Sequence, residues 1–267
     1  MFDVHATKWA TYPDASATEF VEGVASAGAD GVGYLGWRDA DIESLVTACD
    51  EHGVDWTSTG AGGAAGNTGR DGPSITDPDC RDDAVAAIEE TCETVGDHVD
   101  CVVVTVGPDR PGLEPATQTN AVVSVLRAAA PAAAVADVTL VVEPLNTRVD
   151  HPGYFLETTD HGVEVVEAVD HPNVRLLFDV YHQQITEGDL VSRIETFADY
   201  VGMFHVADVP GRHELGTGEI NWTTVFGAIA DTGYEGSVGL EYVPEGEVGE
   251  TIEHAVSIRD NCDAGSE

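Results

Sequence analysis

The chain has 267 residues, 42% of them hydrophobic, and its 49 acidic against 11 basic residues give a formal net charge of −38. This length is ample for one domain with a large core, and the apolar content excludes global disorder. A diffuse negative charge argues against nucleic-acid binding, which needs a basic surface for the phosphates.

The acidic residues are spread evenly along the chain rather than gathered in a tail. We interpret them as the surface of a cytoplasmic protein from a salt-loving (halophilic) organism. The five cysteines form an odd set without a C-x-x-C pair, which predicts free thiols in a reducing compartment. The N-terminal sequence lacks a charged-then-apolar signal pattern, and no run approaches the ~20 apolar residues that span a bilayer. We expect a soluble protein without a membrane partner.

Eight apolar runs alternate with helix-like segments along the chain. In order they are FDVHA, DGVGYLGW, HGVDWTSTG, DCVVVTVG, VTLVVEPLN, VRLLF, VGMF and GSVGLEY. The fourth run is rich in β-branched residues, as expected for a strand covered on both faces. Alternation of strands and helices repeated eight times predicts an α/β protein with a single (β/α)8 TIM barrel domain over residues 1–267.

The segments between the runs predict the helices. A long Ala/Val-rich helix is expected from Pro115 to about Ala136, and one helix-like segment lies between the sixth and seventh runs, with apolar residues at Ile185, Leu190, Ile194 and Phe197. A doubly wound open sheet is the structural alternative, but no G-x-G-x-x-G phosphate-binding turn follows the first run. The Gly-rich stretch at residues 60–72 is interpreted as a mobile loop or lid at the barrel mouth.

Each of the last four predicted strands ends in an ionisable residue. In a closed barrel, the C-terminal strand ends converge on one mouth. A single strand-end acid most often pairs with a neighbouring strand or with solvent, but three carboxylates buried in one mouth would repel each other, and a divalent cation relieves that repulsion. The donor set suits Mg²⁺ or Mn²⁺, with Co²⁺ or Zn²⁺ tolerated. The candidate metal ligands are Glu143, Asp179, His205 and Glu241.

Two further residues are candidates for substrate binding. His182 lies three positions after Asp179, although a histidine at a helix start is the structural alternative. Arg212 lies in the predicted loop after strand seven, where its planar fork suits a substrate carboxylate; the alternative is an arginine that neutralises surface acids. Weaker candidates are His213, Glu214, Glu219, His151, Tyr154 and Asn146. Trp9, Trp37, Trp56 and His5 are interpreted either as pocket residues or as barrel packing.

Several long motifs occur in order between about Leu140 and Tyr242: VVEPLNTR, GYFL, FDVYHQQITEGDL, HVADVPGRHELGTGEINW and YEGSVGLEY. They closely resemble the hydroxypyruvate isomerase branch of the xylose-isomerase-like TIM barrels, whereas the first 110 residues match in barrel pattern only. The resemblance implies a metal-dependent isomerase that interconverts hydroxypyruvate and tartronate semialdehyde, with a small 2-keto acid or sugar as its partner. A homo-oligomer is a further expectation, because dimers and tetramers are common among the relatives.

The resemblance also implies roles for individual residues. The glutamates that match Glu143 and Glu241 form the proton-shuttling pair in that family. In the related ketose 3-epimerases, the Glu, Asp, His and Glu at the four strand ends are metal ligands, and the substrate-contacting His and Arg match His182 and Arg212. Bacterial hydroxypyruvate isomerases usually carry Gln where His205 stands, so this set of ligands is more similar to that of an epimerase.

Gly33 marks a second departure, because relatives often carry Glu at the end of strand two.

The mechanistic hypothesis is a cis-enediolate, held by the metal, with the two glutamates moving the proton. A ketose 3-epimerase or another sugar isomerase is the alternative within the same chemistry. A metal-dependent endonuclease would need several zinc ions, more His ligands and a basic face, and a non-catalytic ligand-binding barrel is the alternative of a different class.

Overall fold

The computed structural model describes residues 1–62 and 74–263. Most of the Gly-rich stretch, residues 63–73, lies outside the described residues, so its role as a lid stays a prediction. The strands are β1 (Asp3–Thr7), β2 (Gly31–Gly33), β3 (Asp55–Gly60), β4 (Cys101–Val104), β5 (Thr139–Val142), β6 (Val174–Asp179), β7 (Val201–Val206) and β8 (Ser237–Leu240).

The helices alternate with these strands. They are α1 (Lys8–Thr11), α2 (Ala17–Ser26), α3 (Ile42–His52), α4 (Arg81–Val95), α5 (Pro115–Val135), α6 (Thr159–Val169), α7 (Val180–Thr186), α8 (Leu190–Phe197), α9 (Trp222–Asp231) and α10 (Val248–Asp263). Short 3₁₀ turns lie at Trp37–Asp39, Pro78–Cys80, Gly96–His98 and Ala198–Tyr200.

The eight strands form a closed parallel barrel in sequence order. Closure is made by β1, which pairs with β2 on one side and with β8 on the other, Ala6 lying opposite Leu240 in the second pair. The prediction of a (β/α)8 TIM barrel is therefore confirmed. All strands point the same way, so their C-terminal ends meet at one mouth.

Two apolar layers hold the barrel together. Residues that point inwards from β4 to β7 form a small cluster inside the barrel: Cys101, Val103, Val141, Leu177 and Met203. The intervening residues point outwards into the larger core between the barrel and its helices, where Val102 and Val104 are fully buried. A strand buried on both faces has to be apolar throughout, which explains the continuous runs in the sequence.

Glycines in β2 and β8 make room for His5 inside the barrel. A Cβ on Gly239 would lie 2.6 Å from the Nε2 of His5, and one on Gly33 would lie 3.1 Å from its Cδ2. A glutamate at position 33 would therefore collide with the His5 ring. The absence of a side chain at Gly33 therefore has a packing reason.

The segment between β6 and β7 forms two helices, α7 and α8, rather than the single helix predicted. Gly188 and Asp189 separate them, with φ angles of +68° and +51°. Left-handed backbone cannot continue an α-helix, and the N–H groups of Glu187 and Gly188 both close on the carbonyl of Gln183. The prediction of one continuous helix was wrong at this point.

Cys49, Cys80, Cys92 and Cys101 are free thiols, as predicted. Burial raises the pKa of the Cys101 thiol to about 12, so it stays protonated and unreactive inside the barrel. Over residues 1–62 and 74–263, no helix has both the length and the apolar character that crossing a membrane requires.

Candidate active site

The four strand-end residues meet at the mouth of the barrel. Glu143 follows β5, Asp179 ends β6, His205 lies in β7 and Glu241 follows β8. All four are buried, and each offers a ligand atom within 4.8 Å of the others. The structure thus brings together the residues that the sequence suggested as metal ligands.

Strand register sets this convergence. Asp179 lies directly opposite His205 in the pair of β6 and β7. Asp179 is also the N-cap of α7, because its Oδ1 accepts the backbone N–H of His182 at 3.1 Å. One carboxylate oxygen is therefore held by the helix start, which leaves the other facing the mouth.

The carboxylates crowd around the imidazole of His205. Its Nδ1 lies 3.3 Å from Oε2 of Glu241 and 3.8 Å from Oε1 of Glu143. Burial by itself would lower the pKa of His205, but Glu241 and the other two carboxylates outweigh burial and raise it to about 9. In the absence of a cation, the histidine is therefore protonated at neutral pH and partly offsets the negative charge.

The two glutamates are pushed in opposite directions. Burial, followed by the charge of Glu241, raises the pKa of Glu143. Burial also opposes ionisation of Glu241, but His205 and Arg212 outweigh it and hold the pKa of Glu241 below its usual range. Two carboxyl groups in one site with separated pKa values are the arrangement expected of an acid and base pair.

A divalent cation fits this donor set. Three carboxylates and one imidazole surround a common point. A buried group of like charges is costly, and a cation bound between them offsets that cost. These four residues could therefore bind a metal.

Arg212 lies beside the cluster, and its own backbone is left-handed (φ +58°). Its Nη2 contacts a carboxylate oxygen of Glu241 and lies 3.7 Å from Asp179, while Nε donates to the Glu241 carbonyl at 3.2 Å. The guanidinium is also packed between the rings of Trp9 and Tyr181, at 5.3 and 5.1 Å. Arg212 is therefore a mouth residue rather than a surface arginine.

His182 is fully buried in the first turn of α7. Its Nε2 lies 3.6 Å from Oδ2 of Asp179, and Nδ1 faces the side-chain amide of Asn146 at 2.6 Å. Burial, with the nearby charge of Arg212, lowers the pKa of His182 well below its ordinary value, so the ring is neutral. It lines the same cavity as Glu143 and Glu241.

The sequence matches the family profile described as "Xylose isomerase-like TIM barrel" over residues 21–259. The chain belongs to the xylose isomerase-like TIM barrel family. This membership and the closed barrel agree with the resemblance inferred from the motifs.

Individual relatives of this barrel carry isomerase names. The hydroxypyruvate isomerase of Escherichia coli is 33% identical over 84% of this chain and 86% of that protein. The 2-oxo-tetronate isomerase of Cupriavidus necator is 42% identical over 43% of this chain and 44% of that protein. With this relative and the other first matches, the aligned region spans a little under half of the relative's length.

Among solved structures, the family 2 AP endonuclease from Brucella melitensis superposes with a TM-score of 0.84. It is 28% identical, and the match covers 96% of this chain and 99% of that one. The family fold therefore carries proteins with different names, so function has to be argued from the site.

A cavity of about 720 Å³ opens at the mouth of this xylose isomerase-like barrel. The segments that follow β1 and β2 form one wall with Lys8, Trp9, Tyr34 and Asp39, and the four-residue cluster lies on the other side. The volume is typical of a small-molecule site.

The sequence left open whether Trp9 lines the pocket or packs the barrel, and the structure places it at the pocket. Its indole Nε1 donates to Oε1 of Glu241 at 2.9 Å, across the junction of β1 and β8. Trp56 is different: it stacks on His98 and donates to a backbone carbonyl, so it packs the barrel. Trp37 lies in a 3₁₀ turn beneath the side chain of Arg38.

The weaker candidates separate into two groups. His151 and Tyr154 line the cavity, and Asn146 contacts His182 directly. Glu214 accepts the backbone N–H groups of Glu245 and Gly246, so it organises a loop. The remaining two make contacts outside the cluster: His213 contacts the Val243 carbonyl, and Glu219 accepts a hydrogen bond from Gln184 of α7.

His5 is a buried barrel residue below the cluster. Its ring packs edge-on against His205, with centroids 6.2 Å apart. Burial, with the charge of His205, lowers the pKa of His5 to about 3. It is therefore neutral across the physiological range and supports the His205 ring.

Proposed function

We propose that this chain is a metal-dependent isomerase that interconverts hydroxypyruvate and tartronate semialdehyde. The observation that carries the proposal is the buried cluster of Glu143, Asp179, His205 and Glu241, in which both glutamates line one cavity. The E. coli relative, named hydroxypyruvate isomerase, supports the choice of substrate.

The four clustered residues would hold one divalent cation, Mg²⁺ or Mn²⁺ being the first choice for a set rich in oxygen donors. When bound, the cation polarises the substrate carbonyl and so acidifies the neighbouring C–H bond.

The glutamates move the proton. Isomerisation removes a proton from the hydroxymethyl carbon of hydroxypyruvate and returns one to the adjacent carbonyl carbon, while a hydroxyl proton passes between the two oxygens. Glu241 would accept the proton from one carbon and Glu143 would return a proton to the other, because both carboxylates face the same cavity. In the reverse direction the roles exchange.

Arg212 and His182 would orient the substrate. The described contacts of Arg212 use Nε and Nη2, which leaves Nη1 for the substrate carboxylate. His182 would contact a substrate oxygen close to Asp179. Fixing the carboxylate and one further oxygen keeps the reacting carbon in line with the glutamates.

Solvent exchange tests the proposal. In D₂O with Mg²⁺ or Mn²⁺, the protein should convert hydroxypyruvate and incorporate deuterium at carbon. Glu241→Gln should lower the exchange rate by about 10²–10⁴-fold, the contribution typical of a general base. Glu195→Gln makes the same change on the exposed face of α8 and should leave the rate unchanged. Undiminished exchange in Glu241→Gln would sink the assignment.

A longer polyhydroxy substrate is the second candidate, and the cavity favours it. About 720 Å³ is more than a three-carbon acid fills. A 2-oxo-tetronate, as in the name of the C. necator relative, or a free ketose would reach further towards Lys8 and Tyr34. Comparing kcat/KM for hydroxypyruvate, a four-carbon 2-keto acid and ketoses in one assay separates these candidates from a barrel that only binds ligands.

A further inference from the structure

Two backbone N–H groups fix the orientation of the Asn146 side chain. The amides of Val149 and Asp150 both donate to its Oδ1, at 2.9 and 3.2 Å. A side-chain NH₂ group could not accept these bonds, so the amide has one allowed orientation. Nδ2 therefore points away from this turn.

Nδ2 of Asn146 has two hydrogens and faces two acceptors. One is Oδ2 of Asp150 at 2.8 Å, which also accepts the hydroxyl of Tyr181 at 2.9 Å. The other is Nδ1 of His182 at 2.6 Å, and the backbone N–H of Asn146 points to the same nitrogen at 3.4 Å. A hydrogen on Nδ1 would clash with the hydrogens of these two N–H donors. Nδ1 is therefore an acceptor, and the single ring hydrogen is on Nε2.

We infer that Asn146 is a positioning residue that fixes His182 as an Nε2–H donor towards the substrate. Nε2 is buried, has no hydrogen-bond partner among the described residues and belongs to a residue that lines the cavity. His182 donates to a substrate oxygen there and does not receive the substrate proton at this nitrogen. That proton is left to the glutamates.

The geometry also restricts the substrate group that His182 contacts. An N–H donor pairs with a carbonyl, carboxylate or enediolate oxygen, and its bond strengthens as negative charge grows on that oxygen. A 2-keto acid presents such oxygens on adjacent carbons. This last step rests on the proposed function; the position of the hydrogen on His182 does not.

The position of the ring hydrogen is measured by ¹⁵N NMR of histidine-labelled protein in the presence of Mg²⁺, with the His182 signals assigned by their loss in His182→Gln. We expect a non-protonated Nδ1 and a protonated Nε2. In Asn146→Asp, Oδ1 still accepts the two backbone N–H groups, but the second oxygen now needs a donor. The hydrogen should therefore move to Nδ1 and leave Nε2 as an acceptor. Asn120→Asp, on the exposed face of α5, makes the same chemical change and should alter neither nitrogen.

Kinetics measured on the same variants separate the two proposals. Asn146→Asp should lower kcat/KM by about 10–100-fold, as for other residues that orient a site histidine. A wild-type His182 with its hydrogen on Nδ1 overturns the inference whatever the activity, and it does so even if the variant fails to fold. A wild-type Nε2–H in a protein that does not isomerise hydroxypyruvate overturns the proposed substrate and leaves the role of Asn146 standing.

Discussion

Trp9 and Glu241 are 232 positions apart in sequence and share a 2.9 Å hydrogen bond at the barrel mouth. The indole holds Oε1 of the carboxylate, while Arg212 contacts Oε2. Both oxygens of the proposed base are thereby oriented. The ring of Trp9 also supports the Arg212 guanidinium, so one residue after β1 organises two groups of the site.

Replacing Trp9 with Phe removes the N–H donor and keeps an aromatic ring against Arg212. A hydrogen bond to a charged group contributes about 1.5–3 kcal/mol, so we expect kcat/KM for the isomerisation to fall by about 10–100-fold. Trp37→Phe is the matched control, because its Nε1 has no partner among the described residues. Equal rates for Trp9→Phe and the wild type would show that the bond does not position Glu241.

Asp208, two residues after the end of β7, organises the loop that follows this strand. Its side chain accepts the backbone N–H groups of Val209, Gly216 and Ile220 and the indole of Trp222. We expect Asp208→Ala to lower the free energy of unfolding by about 2–4 kcal/mol, because buried donors lose a charged acceptor. Denaturant titration checks this, with the exposed Asp14→Ala as the control. A change below the error of the titration would contradict the assigned role.

Much of this architecture could be predicted, because the sequence signals for strands and helices lie in neighbouring residues. Strand and helix periodicity are read from neighbouring residues, and barrel topology then places the ends of β5 to β8 together whatever their distance in sequence. The bond from Trp9 to Glu241 depends on how β1 closes on β8, and no local pattern records that pairing. The break at Gly188 did have a local signal, a glycine inside a helical pattern. The role of Asn146 depends on a turn whose hydrogen bonds are visible only in three dimensions.

Metal uptake should release protons. In the metal-free protein, the pKa of His205 is raised to about 9, so the ring is charged at about pH 7 and has to lose its proton before it can bind a cation. The raised pKa of Glu143 acts in the same direction. Apparent affinity for Mg²⁺ or Mn²⁺ should therefore increase with pH and level off above about pH 9.

Calorimetry in buffers of different ionisation enthalpy measures this proton release. The raised pKa of His205 also stabilises the folded, metal-free protein. This contribution to the free energy of unfolding is fully present below the pKa that His205 has in the unfolded chain, and it is lost as pH rises through about 9. If the affinity for Mg²⁺ or Mn²⁺ did not change between about pH 6 and 9, the cation would not displace a proton from His205, and the prediction would be wrong.

High salt should stabilise the protein. At a net charge of −38 the folded surface repels itself, and the screening length falls from about 10 Å at 0.1 M salt to about 3 Å at 1 M. We expect the Tm to rise with KCl; in a chain of this size each 1 kcal/mol gained adds roughly 2–4 °C. Sucrose at equal osmolality is the control for solute exclusion. A Tm that rises equally in sucrose, or that does not rise in KCl, would contradict the electrostatic explanation.

The most direct test of the site is a cation titration of the wild type and of Asp179→Asn. Asparagine keeps the Oδ1 that caps α7 and removes one negative charge from the proposed ligands, so the helix should be retained while the metal binds more weakly. We predict one Mn²⁺ or Mg²⁺ per wild-type chain, with affinity weakened on the order of 100-fold, ~2.7 kcal/mol, in Asp179→Asn. The exposed Asp199→Asn should match the wild type. A wild-type chain that binds no divalent cation, or an Asp179→Asn chain that binds it as tightly, would contradict the account.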